Sequence, residues 1–387
     1  MNLELLASEA VQAFILEHLK EDPHQLALKK SEVAGVSMPE IAQQVAARQR
    51  IKAKLTKLYD RAGLVFPPKL NLEQSSSEQT AAYKAAAHSG KHLLDLTGGL
   101  GIDSMAFAER FEQVTYCEHN AALAKLAAHN FKILGFDNIT VHSGDGTELL
   151  ETQAWDMIYC DPDRRSKVQR AFKLEDCEPN VIALQEQLLA NSAKLLIKAP
   201  PMLDLRQAQS ALKHLSSIEV VAVKGEVKEL LLLAEPNTTQ VIERAINIGT
   251  DGTVTDTITA EVEPLAYSDP QAYLYLPHGA LMKLQAYDYI SAQYSVHKLA
   301  KHSHVFTADQ SIDFPGRRFR VTEVLPYDKR QMKSFLKKDY LVIAKNFPLT
   351  VAQLRQKFKL KDAGDKYLIF TTLKHGSWVV ITAELDL

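Results

Sequence analysis

Cysteine is scarce in this chain of 387 residues, which contains only Cys117, Cys160 and Cys177. No two of them form a Cys-x-x-Cys pair, and an odd number leaves one thiol outside any set of disulfides. The sequence therefore argues against a disulfide-stapled secreted domain and against a cysteine-based zinc site. We expect three reduced thiols in a reducing compartment and no bound metal.

Long apolar runs are also missing. No stretch approaches the ~18 consecutive apolar residues that a membrane-spanning helix needs. Residues 1–21 mix acidic and apolar side chains and have no basic segment, which is not the composition of a signal peptide. We therefore expect a cytoplasmic protein with no membrane partner.

The chain otherwise has the composition of a globular protein, with 46% hydrophobic and 24% charged residues. At roughly 100–200 residues per domain, its length predicts two or three domains. The net charge of -2 hides an uneven distribution, because residues 1–263 carry 27 basic and 36 acidic side chains, whereas residues 264–387 carry 18 and 11. The basic C-terminal part indicates a surface for an anionic partner.

The first 90 residues have apolar side chains at helical spacing and are predicted to be helical. From His92 the pattern changes to short apolar segments that alternate with helical ones, which predicts a parallel α/β sheet. The predicted strands, of which the last two form an antiparallel hairpin, cover residues 92–96, 114–118, 138–145, 155–162, 194–200, 218–226 and 228–235. A polar, Thr-rich segment at 237–256 follows as a connection or a sheet edge.

Beyond residue 262 the pattern predicts two smaller α+β parts. Residues 272–277 and 304–309 are strand-like and flank a helix near 281–293, and the chain from Phe314 combines strand-like runs with a helix near 350–358. We expect a helical region at 1–90, a doubly wound, Rossmann-like α/β domain at 91–262, a strand–helix–strand segment at 263–313 and a basic domain at 314–387.

The segment Asp95-Leu96-Thr97-Gly98-Gly99-Leu100-Gly101-Ile102-Asp103 follows the first predicted strand and opens a helix. Its glycines allow a tight turn and the close approach of a ligand to the backbone. A helix that begins here offers unpaired N–H groups and the positive end of its dipole. Such a turn suits the phosphate or carboxylate of a bound ligand.

Acidic residues stand at the ends of the next three predicted strands. Glu118 comes 23 residues after Asp95, where an acid can accept hydrogen bonds from both hydroxyls of a ribose. Asp145, within Gly144-Asp145-Gly146, ends the third strand and could meet an adenine amino group, and Asp161 ends the fourth. Because the carboxyl ends of parallel strands share one sheet edge, we expect the four acids to line one ligand site.

This ordered set resembles the class I S-adenosylmethionine-dependent methyltransferases. DLTGGLGID (95–103) is similar to their first motif, YCEHN (116–120) and SGDG (143–146) to the segments that bind ribose and adenine, and CDPDRR (160–165) to the catalytic motif. The G-x-G-x-x-G fingerprint of dinucleotide-binding dehydrogenases is absent. The resemblance implies that S-adenosyl-L-methionine is the cofactor and that its binding residues are Asp95, Thr97, Gly98, Gly99, Gly101, Asp103, Glu118, Asp145, Gly146 and Asp161.

Further motifs extend the resemblance to nearly the whole chain. They are similar to those of a bacterial subgroup of these enzymes with a ferredoxin-like insert and a C-terminal THUMP-like domain, and the core also resembles the trimethylguanosine synthase type of RNA methyltransferase. Because THUMP domains bind RNA in tRNA-modifying enzymes, the resemblance implies an RNA methyltransferase, with tRNA as the expected RNA. The motifs are EQSSSEQTAAYKA (73–85), KAPPMLD (198–204), VKGEVKELLL (223–232), LPHGALMK (276–283), FPGRRF (314–319) and NFPLT (346–350).

The catalytic motif departs from that of enzymes that methylate exocyclic amines. Those enzymes usually have Asn or Asp, two prolines and an aromatic residue, whereas here Asp161 and Pro162 are followed by Asp163 and Arg164. The aromatic residue that stacks on a target base is replaced, which leaves the acceptor atom open. Arg164 or Arg165 could instead hold a phosphate or a carboxylate.

The reaction that this motif predicts is an in-line displacement at a sulfonium methyl group, which depends mainly on positioning. The carboxylate of Asp161 or Asp163 could orient the nucleophile or accept its proton, and the backbone carbonyl beside Pro162 is another acceptor. Lys198 could border the acceptor pocket or simply end a strand. The expected catalytic residues are Asp161, Pro162, Asp163 and Arg164.

Residues 317–361 are strongly basic, with 13 Lys or Arg, three acidic residues and six interleaved aromatic residues. Cations bind phosphates, and aromatic rings stack on unpaired bases. On a methyltransferase this composition favours RNA binding over a merely solvated basic face. The expected nucleic-acid-binding residues are Arg317, Arg318, Arg320, Lys329, Arg330, Lys337 and Lys338.

Two other functions stay open from the sequence. The same chemistry could act on a protein or a small metabolite, which the basic C-terminal part disfavours. A non-catalytic RNA-binding protein that keeps the fold is favoured by the altered CDPDRR motif and disfavoured by the four strand-end acids. His297, His302 and His304 lie close in sequence, but no carboxylate or cysteine pattern completes a metal site, so we expect them to be exposed or structural.

Overall fold

The structure of the chain is a computed structural model, and it describes residues 2–67, 69–164, 173–263 and 266–386. The chain folds into two compact units. The first runs to Ile218 and includes Leu230–Val241, and the second comprises Glu219–Glu229 and the chain from Ile242 onward. The expected cofactor-binding and catalytic residues belong to the first unit, and the expected nucleic-acid-binding residues belong to the second.

The N-terminal region combines short helices with a small ribbon. Its helices are α1 (Leu3–Leu6), α2 (Glu9–Glu17), α3 (Pro23–Ala27), α4 (Met38–Ile51), α5 (Lys69–Gln74) and α6 (Glu78–Ala86), and its ribbon consists of β1 (Glu32–Val33) and β2 (Val36–Ser37). Apolar side chains from α1 to α4 form a core in which Val11, Ile15, Ile41 and Val45 are fully buried. This region therefore packs as a folded layer of the first unit.

Helix α4 ends at Ile51, although the helical prediction for the first 90 residues includes the segment that follows it. The fully buried guanidinium of Arg48 donates hydrogen bonds to the main-chain carbonyls of Tyr59 (2.8 Å), Arg61 (3.0 Å) and Leu64 (2.9 Å). These carbonyls thus have a side-chain partner, which compensates for the helical hydrogen bonds that the segment gives up. A long-range contact therefore overrides the local helical pattern.

Strands and helices alternate after residue 90. The strands are β3 (Gly90–Asp95), β4 (Phe111–Glu118), β5 (Ile139–Ser143), β6 (Met157–Cys160), β7 (Asp163–Arg164), β8 (Cys177–Glu178), β9 (Leu195–Ala199), β10 (Leu215–Val223), β11 (Glu226–Ala234), β12 (Ile242–Ile248) and β13 (Val254–Ile258). The helices are α7 (Ile102–Ala108), α8 (Ala121–Leu134), α9 (Val181–Ala190) and α10 (Leu205–Ala211), with 3-10 turns at Gly146–Leu149 and Leu174–Asp176.

Nine strands of the described chain form one sheet, in the order β13-β12-β10-β11-β9-β6-β3-β4-β5. The strands β9, β6, β3, β4 and β5 are parallel. In this parallel part of the sheet, β3 is the central strand, and the chain continues from it outward through β4 and β5. It then returns to the other side of β3, where β6 and β9 follow. This strand order is that of a doubly wound, Rossmann-like sheet and confirms the predicted fold class.

The antiparallel strands extend this sheet beyond β9. Strand β11 pairs with β9, and β12 pairs with β13 to form a hairpin at the sheet edge. The Thr-rich segment at 237–256 was predicted to be a connection or a sheet edge, and the structure places most of it in this edge hairpin. Strands β6 and β9 are completely buried, as expected for parallel strands covered on both faces.

The loop after β3 is anchored in a hydrophobic core. Leu100 and Ile102, at the beginning of α7, pack in one cluster with Tyr116 of β4 and Phe131 of α8. Ile51 from the N-terminal region belongs to the same cluster. This packing holds the loop at the carboxyl edge of the sheet, where doubly wound folds bind ligands.

A second sheet lies in the second unit, with the order β15-β16-β14-β17-β20-β19-β18. Its strands are β14 (Tyr273–Pro277), β15 (His297–Lys298), β16 (Phe306–Ala308), β17 (Gly316–Pro326), β18 (Leu341–Lys345), β19 (Lys366–Thr372) and β20 (Trp378–Asp386). The accompanying helices are α11 (Gly279–Lys283), α12 (Tyr287–Tyr294), α13 (Lys329–Lys333) and α14 (Val351–Phe358).

The segments expected at 263–313 and 314–387 share this sheet. Strand β14 pairs with β17, with Tyr273 opposite Arg320. The single helix predicted near 281–293 is divided into α11 and α12, because Gln285 between them has a φ of +57°, a left-handed conformation that does not continue a right-handed helix.

Within the described residues, no helix is long and apolar enough to cross a membrane. The same part of the chain contains no group of three or more His, Cys, Asp or Glu side chains arranged to hold a metal ion. His304, one of the three clustered histidines, stacks on Tyr287 with ring centroids 4.3 Å apart.

Candidate active site

The glycine-rich turn between β3 and α7 is held by packing and by backbone hydrogen bonds. A Cβ on Gly98 would lie 2.1 Å from the ring of Tyr116, so only glycine fits against that ring. Gly101 has a φ of +80°, and a Cβ there would lie 2.5 Å from Phe131. The N–H of Gly98 donates to the carbonyl of Cys117 at 2.8 Å, which fastens the turn to β4.

The carboxylate of Asp95 lies beneath this turn. Only 1% of the residue is exposed. Its Oδ1 accepts a hydrogen bond from the N–H of Thr97 at 3.0 Å, and its Oδ2 accepts one from the hydroxyl of Ser104 at 2.5 Å. Burial raises the pKa of Asp95 to about 7. Asp95 thus fixes the start of the turn to the first turn of α7, and a direct contact with the cofactor stays a prediction.

Glu118 ends β4 beside the turn. Its Oε2 accepts a hydrogen bond from the N–H of Gly99 at 3.1 Å, and its Oε1 accepts one from the N–H of Asn120 at 2.7 Å. The hydroxyl of Tyr116 donates to the carbonyl of Gly99 at 2.7 Å. The Gly99 backbone is therefore oriented by two side chains of β4, and the half-buried Glu118 carboxylate lies at the same place.

Asp145 follows β5 at the same edge of the sheet. Its Oδ1 accepts hydrogen bonds from the N–H and the hydroxyl of Thr147, at 2.9 and 2.8 Å. Partial burial acts to raise the pKa of Asp145, but these hydrogen bonds outweigh it and lower the pKa below its usual value. Gly146 is buried, and a Cβ there would lie 2.9 Å from both Cys117 and Leu96.

Asp103, on the first turn of α7, is the centre of a buried polar cluster that also includes Ser76, Lys84 and Tyr159. The hydroxyls of Ser76 and Tyr159 donate to its Oδ2 at 2.7 and 2.8 Å. The ammonium of Lys84 lies 3.1 Å from its Oδ1. Burial alone would raise the pKa of Asp103, but the positive charges of Lys84 and Lys198 and the two hydroxyls lower it.

Two of these partners, Ser76 and Lys84, were not identified from the sequence as site residues. Ser76 precedes α6, and Lys84 lies on the face of α6 that also buries Ala81 and Ala85. A lysine on the buried face of a helix is a signal of a paired charge, because lysine is rarely buried alone. The neighbouring Ser77 caps α6, because its hydroxyl accepts a hydrogen bond from the N–H of Thr80 at 3.1 Å.

Asp161 follows β6, next to β3. Its N–H donates to the hydroxyl of Thr97 at 2.6 Å, which connects it to the glycine-rich turn. Its Oδ2 forms an ion pair with the ammonium of Lys198 on β9. Thirty-two per cent of the Asp161 side chain and 10% of the Lys198 side chain are exposed. The structure places Lys198 near the end of β9 and beside Asp161, and a position at the border of an acceptor pocket stays a prediction.

The rest of the catalytic motif leaves the sheet edge as a ribbon. Pro162 is buried and Asp163 is exposed. Strand β7 pairs with β8, which sets Asp163 opposite Glu178 and Arg164 opposite Cys177. Arg165 lies outside the described residues. Asp161, one of the two carboxylates expected to be catalytic, forms an ion pair with Lys198 at the carboxyl edge of the sheet.

The four strand-end acids lie where the sequence placed them, on the adjacent strands β5, β4, β3 and β6. The turn beside them leaves space for a ligand, because a Cβ on Gly99 would meet only the carbonyl oxygen of Thr97 among the described atoms, at 3.8 Å. Carboxylate acceptors at Glu118 and Asp145 match a ligand that presents hydroxyl and amino groups. These residues fit S-adenosylmethionine, which carries a ribose and an adenine.

The seven expected nucleic-acid-binding residues divide into two groups in the second unit. Arg318 lies 3.8 Å from Asp386, and Arg320 donates to Glu384 at 2.7 Å. The other five are exposed and form no ion pair with any described residue: Arg317, Lys329, Arg330, Lys337 and Lys338.

Comparisons with known families match the C-terminal half of the chain. The model of a ferredoxin-like domain matches residues 273–315, and the model of a THUMP domain-like region matches residues 316–384. Comparison with curated proteins finds no match.

Solved structures give a match over the whole chain. The structure of a protein described as a "putative methyltransferase" from Porphyromonas gingivalis W83 is 30% identical, covers 100% of this chain and 99% of that chain, and superimposes with a TM-score of 0.88. A class I S-adenosylmethionine-dependent methyltransferase from Listeria monocytogenes, also described as "putative", is 13% identical over 62% of this chain and 88% of that chain, with a TM-score of 0.37. TrmK of M. capricolum, solved with S-adenosyl-homocysteine, is 10% identical over 41% and 68% of the two chains, with a TM-score of 0.32.

The full-length match and the two domain matches agree with the strand order and with the acids at the carboxyl edge. The chain belongs to the family of the P. gingivalis protein, the class I S-adenosylmethionine-dependent methyltransferases that carry a ferredoxin-like segment and a THUMP-like domain.

Proposed function

We propose that this enzyme methylates RNA in the cytoplasm, with tRNA as the first RNA to test, and that its basic C-terminal region binds the RNA. The observation that carries the proposal is the set of exposed cations in the THUMP-like segment that form no ion pair with any part of the chain that the structure describes. Lys329 and Arg330 begin α13, and Lys337 and Lys338 follow it. Cations without an acidic partner are available to phosphates, and binding a phosphate displaces its counterions.

An aromatic cluster in the same segment, with two half-buried rings and one exposed ring, supports an RNA with unpaired bases. The rings of Tyr327 and Phe347 have centroids 4.9 Å apart, and Phe347 and Trp378 have centroids 6.0 Å apart. Trp378 is 49% exposed. The ammonium of Lys357 donates to the hydroxyl of Tyr327 at 3.0 Å. Aromatic rings beside cations are the usual means of binding single-stranded nucleic acid without base-pair readout.

In the cofactor site we propose a division between carboxylates that hold the site together and carboxylates that face the ligand. Asp95 and Asp103 hold the ends of the glycine-rich turn, because both are at least nine-tenths buried and bonded to the protein. Glu118 binds the ribose hydroxyls and Asp145 lies at the adenine side. The turn residues Thr97, Gly98, Gly99 and Gly101, together with Gly146, shape the backbone around the cofactor.

Bound S-adenosylmethionine supplies a methyl group on a sulfonium ion. The protein contributes mainly position, because such a transfer requires the nucleophile, the methyl group and the sulfur to be in line. Asp161, held by Thr97 and Lys198, accepts a hydrogen bond from the acceptor group and so orients it. We propose that Pro162 shapes the backbone next to Asp161, and that Asp163 and Arg164 bind the acceptor from the adjoining ribbon.

The proposal is tested by transfer of labelled methyl groups from S-adenosylmethionine to total RNA from a strain that lacks the gene. RNA from the parent strain, which should already carry the modification, is the matched control. We expect label in the deficient RNA only, and digestion to nucleosides then identifies the base. Asp161→Ala should bind the cofactor and transfer no label.

Each other outcome supports a different function. If neither RNA is labelled while calorimetry shows cofactor binding, the acceptor is a protein or a metabolite and the RNA proposal is wrong. If the protein binds RNA but not the cofactor, it is a non-catalytic RNA-binding protein with the methyltransferase fold.

A further inference from the structure

The strand register brings a lysine of β9 next to the aspartate of the catalytic motif. In the parallel pairing of β6 with β9, Tyr159 lies beside Leu196 and Cys160 lies beside Ile197. The next residues along the two strands are Asp161 and Lys198, and their side chains form an ion pair. The pair therefore follows from the same register that builds the sheet and does not depend on a flexible loop.

The surroundings of the pair make its charges strongly interacting. The Lys198 side chain is 10% exposed, and the strand that carries it is otherwise apolar and buried. Breaking a buried ion pair by removing one partner leaves the other charge without compensation. An exposed ion pair, in contrast, contributes little, because water and salt screen it. The ion pair of Lys198 with Asp161 is thus partly buried, and its charges are screened less than those of a pair on the surface.

Among the described residues, hydrogen bonds and ion pairs reach only one carboxylate oxygen of Asp161. Lys198 contacts Oδ2, and no described residue forms a hydrogen bond to Oδ1. The side chain is 32% exposed, so Oδ1 is accessible from the carboxyl edge of the sheet. A lysine that holds Oδ2 fixes the direction in which Oδ1 points.

We propose that Lys198 is a positioning residue whose ammonium group holds Oδ2 of Asp161 and directs the free Oδ1 to the N–H or O–H group of the methyl acceptor. The proposal deepens the proposed function, on which it rests for the existence of that acceptor. Lys198 itself is assigned no contact with the substrate or the cofactor.

Charged groups from every neighbouring element act on Asp161. Burial raises the pKa of Asp161, and Lys198 lowers it through its charge and its hydrogen bond. The negative charge of Asp103 on α7 raises the pKa of Asp161, and the positive charge of Lys84 on α6 lowers it. Asp95 on β3 also lies near enough to interact, because the charge of Asp161 raises the pKa of Asp95. Removing Lys198 therefore raises the pKa of Asp161 and leaves more of the carboxyl group protonated at a given pH.

The test compares Lys198→Met, Lys198→Gln and Lys198→Arg with the wild-type enzyme. The matched control is Lys194→Met, because Lys194 lies just before the same strand, is 42% exposed and is paired with Glu235 at 3.7 Å. Circular dichroism and thermal unfolding establish that each variant is folded. If Lys198→Met does not fold, Lys198→Gln replaces it, because glutamine has no charge but keeps a hydrogen-bonding group.

The first readout does not depend on the substrate. The protein is labelled with ¹³C at the aspartate Cγ, and the Asp161 signal is identified as the one that Asp161→Asn removes. We expect its titration midpoint to move to higher pH by roughly one unit or more in Lys198→Met, the size of effect that a close opposite charge has on a carboxyl group. The titration midpoint of Asp161 should be the same as in the wild type in Lys198→Arg and Lys194→Met. An unchanged midpoint in Lys198→Met would overturn the proposal.

The second readout is methyl transfer to the RNA from the deficient strain. In Lys198→Met we expect kcat to fall by about a hundredfold, the size of effect of a misplaced reacting group. The acidic limb of the pH profile of kcat should move to higher pH in Lys198→Met, while KM for S-adenosylmethionine stays the same. Lys198→Arg should restore part of the rate. A kcat and pH profile like those of the wild type would contradict the proposal while leaving RNA methylation intact. A shifted Asp161 midpoint without RNA methylation by the wild type would contradict only the proposed function.

Discussion

Gly98 lies so close to Tyr116 that the ring occupies the position of any side chain at residue 98. The constraint is steric and not conformational, because the φ of Gly98 is not in the left-handed region. The turn that carries Thr97 and Gly99 can only follow its path if residue 98 has no Cβ. The absence of a Cβ at residue 98 therefore allows the path that the glycine-rich turn takes past Tyr116.

Gly98→Ala should therefore disturb both stability and cofactor binding. We expect a loss of about 1–3 kcal/mol in the free energy of unfolding, as for other overpacked sites, and a clear loss of affinity for S-adenosylmethionine. The control is Gly249→Ala, where the added Cβ lies 2.7 Å from the end of the exposed Asp251 side chain and meets the backbone only at the carbonyl oxygen of Thr253, at an ordinary contact distance of 3.5 Å. Urea unfolding and calorimetry measure the two effects, and equal behaviour of the two variants would contradict the steric argument.

Asp95 shows how a buried carboxyl group couples stability to pH. Its pKa is raised to about 7 by burial, whereas the group has an ordinary pKa when the chain is unfolded. Between about pH 4 and pH 7 the folded protein holds a proton that the unfolded chain releases. The contribution of Asp95 to the free energy of unfolding therefore decreases as the pH rises through this range and is constant above it.

We expect Asp95→Asn to remove this dependence. Relative to the variant, the wild-type protein should lose up to about 4 kcal/mol of stability between pH 4 and pH 7. Chemical unfolding of the cofactor-free proteins at several pH values measures the difference. Asp137→Asn, at an exposed position, is the control and should run parallel to the wild type. A constant difference between wild type and Asp95→Asn across the range would show that the Asp95 carboxyl is not the responsible group.

At the scale of elements, helix α6 is joined to α7 through charges and not only through apolar packing. Lys84 on α6 has no exposed side-chain surface, and it reaches Asp103 on α7 at 3.1 Å and Ser76 at 3.0 Å. The N-terminal region therefore contributes directly to the polar cluster next to the cofactor site. The exposed pair of Lys213 with Glu186, at 2.7 Å, joins elements of the same unit without such burial.

This contrast predicts very different effects of the same substitution. Lys84→Met should lower the free energy of unfolding by about 3–5 kcal/mol, because it leaves Asp103 as an uncompensated buried charge. It should also weaken S-adenosylmethionine binding, since Asp103 follows the glycine-rich turn. Lys213→Met should change stability by less than about 1 kcal/mol. If both variants unfold at the same urea concentration, the Lys84–Asp103 pair does not support the fold.

The elements themselves were predicted to different degrees. The seven strands expected between residues 92 and 235 are all present, because short, buried apolar runs leave few alternatives. The helices were predicted less accurately, and each difference has an identifiable cause. Arg48 terminates the pattern that would have extended α4, and the left-handed Gln285 divides the helix expected near 281–293.

At the scale of the molecule, cofactor binding and RNA binding are assigned to different units of the chain. The residues proposed to bind the cofactor belong to the first unit, and the exposed cations of the THUMP-like segment belong to the second. Changes in the charge of the second unit should therefore alter RNA affinity and leave the affinity for S-adenosylmethionine unchanged.

Lys337→Glu tests this separation. We expect weaker RNA binding and a salt dependence whose slope is smaller by about one, as for the loss of a single phosphate contact. Lys301→Glu introduces the same charge change at another exposed position of the second unit and is the control. Filter binding at several salt concentrations and calorimetry with S-adenosylmethionine are the measurements. Equal losses of RNA affinity in the two variants would indicate a general charge effect and not a defined binding surface.

The sequence by itself determined the Rossmann-like class of the fold and the four strand-end acids, because both depend on patterns that are local in the chain. An apolar strand followed by Asp95, Glu118, Asp145 or Asp161 is recognisable without knowledge of its neighbours, and parallel strands bring such ends to one edge.

Only the tertiary structure decided which of these carboxylates are buried and what they contact. Ser76 and Tyr159 are 27 and 56 residues from Asp103, and Lys198 is 37 residues from Asp161. Pairing at such separations is set by the packing of α6 on α7 and by the register of β6 with β9. Burial, which strengthens these charge interactions, exists only in the folded protein.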